Sequence, residues 1–149
     1  MWWGMAYDGF ARQLRQPGKE DRDGPLDMRE LVRLATLAPS SHNTQPWQFR
    51  IERDAITILP DFSRRCPVVD PDDAHLFKSL GCAAENLVHA AAAQGHAADV
   101  STVDNDGITI RLERSQAVRA GELFHAIPQR QCTRKAFDGQ PIASDHLSR

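Results

Sequence analysis

The sequence has few cysteines, and they follow no pattern. Cys66, Cys82 and Cys132 are the three cysteines in 149 residues, so they are widely spaced and odd in number. They form neither a Cys-x-x-Cys motif nor a disulfide framework, which favours a reducing compartment. We therefore expect a cytoplasmic protein without a cysteine-based metal site.

The chain also lacks a long apolar run and a surplus of charge. No stretch reaches the roughly 20 apolar residues that span a bilayer, and residues 1–5 do not resemble the start of a signal peptide. Lys and Arg number 18 against 20 Asp and Glu, a formal net charge of −2. Because this charge gives no general attraction to nucleic acid or anionic membrane, we expect a small-molecule substrate and neither of those partners.

The remaining composition is that of an ordinary globular domain. Hydrophobic residues make up 41% and charged residues 26% of the chain, both typical of soluble folded proteins. Residues 1–25 show no periodicity, and Pro17, Gly18, Gly24 and Pro25 interrupt them. This region is predicted to be an irregular N-terminal arm.

Two helices are predicted from apolar spacing and end signals. The first begins at Asp27, with Glu30 at capping-box spacing, and ends at Pro39. The second runs from Asp70 to Gly95, with Pro71 at its first helical position. Its apolar face persists over about six turns, so we expect this long helix to be buried.

Strands are predicted between and after these helices. Trp47, Phe49 and Ile51 alternate with polar residues, the period of a half-buried strand, and we expect all three on its apolar face. The other strands are predicted over residues 56–59, 98–103 and 108–113, the last two joined by a turn at 104–107. A short helix over 121–127 and a helical turn capped by Ser144 follow. The pattern predicts an α+β fold, a mixed sheet around a long central helix.

A polar loop from Ala38 to Trp47 is the first candidate site. Its sequence, Ala-Pro-Ser-Ser-His-Asn-Thr-Gln-Pro-Trp, is rich in neutral donors and acceptors, which suit a planar heterocycle with ring nitrogens and carbonyls. A metal is disfavoured because the loop has one histidine, His42. Nucleophilic catalysis is disfavoured because Ser41 is its direct neighbour, whereas a nucleophile and its base come from separated positions. A turn that satisfies its own hydrogen bonds is an equally open interpretation.

A basic segment is the second candidate site. Between Arg114 and Lys135 five basic residues face one acid, Glu122. Arg130 and Arg134 could hold a phosphate, because a guanidinium can form two parallel hydrogen bonds with it. A solvated surface is the alternative.

Together the two segments resemble the nitroreductase family. Residues 38–47 are similar to that family's flavin loop, which contains a Pro-Ser-Ser segment, an Asn and Gln-Pro-Trp. Residues 130–137 resemble its phosphate-binding motif, although Cys132 stands where a hydroxyl residue is usual. Residues 81–87 resemble its central helix.

The resemblance implies a nitroreductase-like fold and an oxidoreductase that binds FMN and uses NAD(P)H to reduce nitroaromatic or quinone-like acceptors. It implies no catalytic acid or base. The residues implied to bind the cofactor are Pro39, Ser40, Ser41 and Asn43 at the flavin and Arg130 and Arg134 at its phosphate. A flavin-binding or flavin-storage protein without turnover, or a fragment inactive alone, are the alternatives.

The order of the two segments resembles the Acg-like branch, in which two nitroreductase halves are fused. The arginine segment follows the loop by about ninety residues, whereas in ordinary members it precedes the loop. We accordingly predict a first half over residues 26–119 and the start of a second half over 120–149. Because a predicted helix begins within the last six residues, we interpret the sequence as an N-terminal fragment. The rest of the second half, or a second chain, would then complete the flavin site.

Overall fold

The computed structural model describes residues 9–103, 107–132, 136 and 138–147. Its main elements are a sheet, one long helix and two shorter helices. The helices are α1 (Met28–Ala35), α2 (Ala74–Ala93) and α3 (Glu122–Ala126), and the strands are β1 (Trp47–Ile51), β2 (Ala55–Pro60), β3 (His96–Val103) and β4 (Gly107–Arg114). Within the described ranges, no helix has the length and apolarity needed to cross a membrane.

The sheet has the strand order β1-β2-β4-β3, and each described pair of neighbours is antiparallel. β2 and β3 therefore point the same way, joined by α2, with β4 between them. The α+β class is confirmed, but the expected mixed sheet is wrong for these strands. The reason is that β4 lies between β2 and β3 and pairs with both. The two parallel strands therefore do not pair with each other.

The core lies between α2 and the sheet, with α1 packed on the helix. Along α2 the buried positions recur at three- and four-residue spacing, so one face of the helix contacts the apolar residues of β2 and β4. The core residues with no exposed surface include Leu31, Leu34, Ile56, Ile58, Leu80, Leu87 and Ile110. The predicted burial of the long helix is confirmed.

The long helix begins later than predicted, because two carboxylates shape the turn before it. Asp73 is the N-cap in the left-handed region, with φ of 57°, and it pairs with the Arg65 guanidinium through both carboxylate oxygens. Asp70 lies outside the helix and accepts the backbone N–H groups of His75 at 2.9 Å and Leu76 at 3.0 Å. Pro71 therefore belongs to the turn. The C-terminal stop is as predicted, with Gly95 at φ of 69°.

Asp70 gives the fold an acid-sensitive contact. Burial raises the pKa of this carboxyl, but the N–H groups of His75 and Leu76 and the charges of His75 and Lys78 outweigh burial, so its pKa lies below the usual value. A carboxyl with a depressed pKa in the folded state stabilises the fold above its unfolded pKa of about 3.9. That stabilisation is lost as the pH falls through the folded value.

We expect the free energy of unfolding to decrease as the pH is lowered below about 4. In Asp70→Asn this decrease should be smaller. The neutral amide can accept only one of the two N–H groups, but it does so at any pH, so the variant has no such acid dependence. Urea unfolding between pH 3 and 7 measures this. Asp23→Asn is the control, because Asp23 is exposed. Identical acid profiles for Asp70→Asn and the unmodified chain would contradict the assignment.

Four smaller expectations need correction. The arm is not wholly irregular, because residues 9–14 are helical. Asp27 caps α1 as predicted, but Glu30 does not complete a capping box, since its carboxylate binds Arg33 and the Asp27 N–H donates to Gln94. α1 itself ends at Ala35, before the proline. Ser144 is the first residue of a 3-10 turn and does not cap it.

The remaining predicted elements agree closely with the described ones. The short helix α3 has Gly121 as its N-cap and Ile127 as its C-cap. Phe124 and Ile127 join the main core, so this segment packs on the same body as the sheet. The predicted turn residues 104–106 lie outside the described part of the chain.

Candidate functional site

The polar loop between α1 and β1 has an unusual backbone. His42, Asn43 and Gln45 have φ of 49°, 58° and 50°, in the left-handed region that costs a non-glycine residue about 1–2 kcal/mol. A backbone held in this region is typical of sites where surrounding structure fixes the chain for function. Pro46, which follows, is fully buried and anchors the end of the loop.

The loop is held by hydrogen bonds of its own and by one to α2. The Ser40 hydroxyl accepts the Gln45 N–H at 3.0 Å, and the Thr44 hydroxyl donates to the Ser41 carbonyl at 3.0 Å. The Ser41 N–H donates to the hydroxyl of Ser79 on α2 at 3.3 Å. The self-satisfied turn considered from the sequence is therefore part of the structure, and it keeps the loop in a fixed position beside the helix.

The basic segment reaches this loop through Arg130. Its Nη2 donates to the Leu37 carbonyl at 3.0 Å, just before the polar loop, and its Nη1 donates to the Cys132 thiol at 3.3 Å. The Arg130 Nε is buried and has no hydrogen-bond partner among the residues that the structure describes. One donor of this guanidinium is thus left without an acceptor in the described part of the chain.

A cavity of about 440 Å³ joins the two segments. Its described walls come from the end of α1, the polar loop, the basic segment and the N-terminal arm. The lining residues are Arg15, Ala38, Pro39, Ser40, Asn43, Arg130, Gln131 and Cys132. Two of them carry positive charge and none is acidic, so the cavity favours a ligand with an anionic end.

Arg15 is a cavity residue that the sequence did not reveal. Its Nη1 donates to the carbonyl of Arg130 at 2.7 Å and to that of Pro128 at 3.4 Å. The arm thus adds a second guanidinium beside Arg130 and fixes the backbone of that segment. In the sequence, Arg12 and Arg15 form no recognisable motif. The helix over residues 9–14 is too short to give a clear apolar period.

A smaller cavity of about 240 Å³ also borders the Pro39–Ser41 segment. Pro39 and Ser40 line both cavities. Ser41 lines only the small one, together with residues from the first three turns of α2, namely His75, Lys78, Ser79 and Cys82.

The structure thus brings together most of the residues named from the sequence. Pro39, Ser40, Asn43 and Arg130 line the large cavity, and Ser41 faces the small one. Arg134 lies outside the described residues. Within the described part of the chain, no group of histidine, cysteine and carboxylate side chains is arranged to hold a metal ion.

Known proteins of similar sequence come from Mycobacterium tuberculosis. Two proteins, MT3217 of strain CDC 1551 / Oshkosh and Rv3131 of strain ATCC 25618 / H37Rv, are each 32% identical in an alignment of 129 positions that covers 81% of this chain. Both are provisionally named NAD(P)H nitroreductases. The chain spans 37% of the length of these relatives. No protein-family model matches the chain.

A solved structure of similar fold comes from Clostridium acetobutylicum and is provisionally named an NADH oxidase. It aligns with a TM-score of 0.51 at 17% identity, covering 85% of this chain and 99% of that one. At this identity the likeness concerns the fold alone.

Proposed function

From the curated relatives and the nitroreductase-like α+β fold we infer that this chain belongs to the nitroreductase family. We propose that it forms an FMN site of an NAD(P)H-dependent oxidoreductase. Its acceptors would be small nitroaromatic or quinone-like molecules. The cavity between the polar loop and the basic segment would hold the flavin.

One observation carries this proposal. Asn43 and Arg130 are 87 positions apart in the sequence, yet both line the same 440 Å³ cavity. That volume lies in the range of about 300–1,000 Å³ typical of small-molecule and cofactor sites. Two segments chosen from the sequence for a ring and for a phosphate therefore border one space of suitable size.

The residues present fit FMN. Arg15 and Arg130 give the cavity a cationic end for a phosphate, and the Arg130 Nε, which no described residue engages, is a donor that a phosphate oxygen could satisfy. The side chains of Ser40 and Asn43 offer neutral hydrogen-bonding groups to a ring, and Pro39 offers an apolar surface. Bound FMN would accept a hydride from NAD(P)H and pass reducing equivalents to the acceptor.

These side chains bind and orient the cofactor in the proposed site. Ser40 has already accepted the Gln45 N–H, so its hydroxyl hydrogen is left for the ligand. The fixed backbone of residues 42–45 would spare the cost of ordering this loop on binding. We assign no side chain the role of catalytic acid or base.

The order of the segments supports a fused arrangement of the Acg-like kind. In that arrangement residues 26–119 would form the first half, residues 120–149 would begin the second, and the rest of that half or a second chain would complete the flavin site. A flavin-storage role without turnover is the competing function.

Flavin titration tests the proposed function. We expect the full chain to bind FMN more tightly than riboflavin, measured by quenching of flavin fluorescence, because only FMN carries the phosphate. Consumption of NAD(P)H with a nitroaromatic acceptor then separates an oxidoreductase from a storage protein. Equal affinity for the two flavins, or no binding of either, would contradict the proposed site.

A substitution at Asn43 tests the ring end of the site. Asn43→Gly removes the side chain and keeps the left-handed backbone favourable. We expect FMN affinity to fall roughly two- to tenfold, the value of one neutral hydrogen bond, and riboflavin affinity to fall equally. His42→Gly is the matched control, since His42 is also left-handed and exposed but lines neither cavity. Equal effects of the two substitutions would remove Asn43 from the site.

A further inference from the structure

The small cavity beside the polar loop has a distinct chemistry of its own. Its volume of about 240 Å³ is below the range of about 300–1,000 Å³ for drug-sized ligands, so it suits one aromatic ring. Pro39 and Cys82 give it apolar walls, and the alkyl stem of Lys78 adds to them.

Neutral polar groups contribute little to its wall. The Ser79 hydroxyl donates to the His75 carbonyl at 2.7 Å and accepts the Ser41 N–H at 3.3 Å. The Ser40 hydroxyl accepts the Gln45 N–H. The wall is therefore mainly apolar, and Lys78 and His75, both exposed at the protein surface, are its basic lining residues.

The charge of Lys78 is not neutralised by a direct partner. Among the described residues, no carboxylate oxygen lies within 4 Å of its ammonium. The charges of His75 and Lys78 help to lower the pKa of Asp70. The Asp70 oxygens, however, accept the N–H groups of His75 and Leu76 and form no ion pair with Lys78. The cavity itself has no acidic lining residue.

We propose that this cavity is the acceptor subsite and that it selects aromatic acceptors carrying a carboxylate, with Lys78 binding the carboxylate. The term acceptor rests on the proposed flavin function, whereas the preference for an anion rests on the cavity. Pro39 and Ser40 form a wall common to both cavities, which places a ring in the small cavity next to the proposed flavin site.

Two probes of equal shape test the preference. 4-Nitrobenzoate is an anion at neutral pH, and 4-nitrobenzamide is its neutral counterpart of nearly the same size. Ligand-observed NMR titration of the full chain, without flavin, measures both affinities. We expect 4-nitrobenzoate to bind about three- to tenfold more tightly, between the values of an exposed ion pair and a charge-assisted hydrogen bond.

Lys78→Met is the critical variant. Methionine keeps an unbranched chain and a similar helix propensity but removes the charge, so the preference for the anion should disappear while binding of 4-nitrobenzamide is unchanged. Lys19→Met is the control, because Lys19 is an exposed lysine of the arm that lines neither cavity. Melting temperatures verify that each variant is folded.

The outcomes separate this inference from the proposed function. Equal binding of the two probes, or a preference that survives Lys78→Met, overturns the inference even if FMN binds. A chain that prefers 4-nitrobenzoate through Lys78 supports it. FMN titration is a separate arm, and its failure overturns the flavin proposal without altering the flavin-free comparison of the probes.

Discussion

Replacing Trp47 with alanine is expected to lower the free energy of unfolding by about 3–5 kcal/mol, the usual cost of removing a large buried aromatic side chain. Trp47 is 8% exposed and belongs to the main core. Its ring lies 6.5 Å from that of Phe49. It directly follows the fully buried Pro46, so both residues are packed at the start of β1.

Urea unfolding of Trp47→Ala and Ile51→Ala measures this effect with a control on the same strand. Ile51 is 47% exposed, so its truncation should cost about 1 kcal/mol or less. Flavin affinity, measured below the unfolding transition, should change little in either variant. A Trp47→Ala chain that stays stable but loses flavin would show that the indole contacts the ligand instead of the core.

Replacing Arg130 with glutamine is expected to weaken FMN binding by about one to two decades, the value of a charge-assisted hydrogen bond of roughly 1.5–3 kcal/mol. Glutamine keeps a polar side chain but carries no charge for the phosphate. Riboflavin affinity should therefore hardly change. We propose the same loss for Arg134→Ala.

Arg50→Gln is the matched control, because Arg50 is an exposed arginine of β1 that lines neither cavity. Fluorescence titration with both flavins gives the comparison. If FMN and riboflavin weaken together in Arg130→Gln, the arginine acts on the shape of the cavity and not on the phosphate. Unchanged FMN affinity would remove Arg130 from the site.

The periodic elements were predictable because their signals are local. The apolar stripe of α2 and the glycine at its C-terminal end depend on neighbouring residues, as does the alternation that begins β1. The start of α2 was placed too early because an Asp-Pro pair is a good helix start. In the structure the N-cap is Asp73, and its ion pair with Arg65 favours this later start. Ile51 is exposed at the end of its strand although the alternation predicted an apolar face.

Some residues of the candidate site were likewise predictable from local sequence, and others were not. The loop and the basic segment were conspicuous in composition, so Pro39, Ser40, Asn43 and Arg130 could be named before the fold was known. Arg15 could not, because its place in the cavity depends on hydrogen bonds to Pro128 and Arg130, more than a hundred positions away. Contacts between sequence-distant segments leave no periodic trace in the sequence.

The position of β4 between β2 and β3 has a consequence for how the chain folds. The β1–β2 and β3–β4 hairpins are local and can form early, but the β2–β4 ladder pairs Ile56 with Ile110, 54 positions later. Closing so long a loop costs more entropy than closing either hairpin, and non-local pairing slows folding. During synthesis, β2 therefore has one unpaired edge until β4 leaves the ribosome, and only then do the two hairpins join into one sheet.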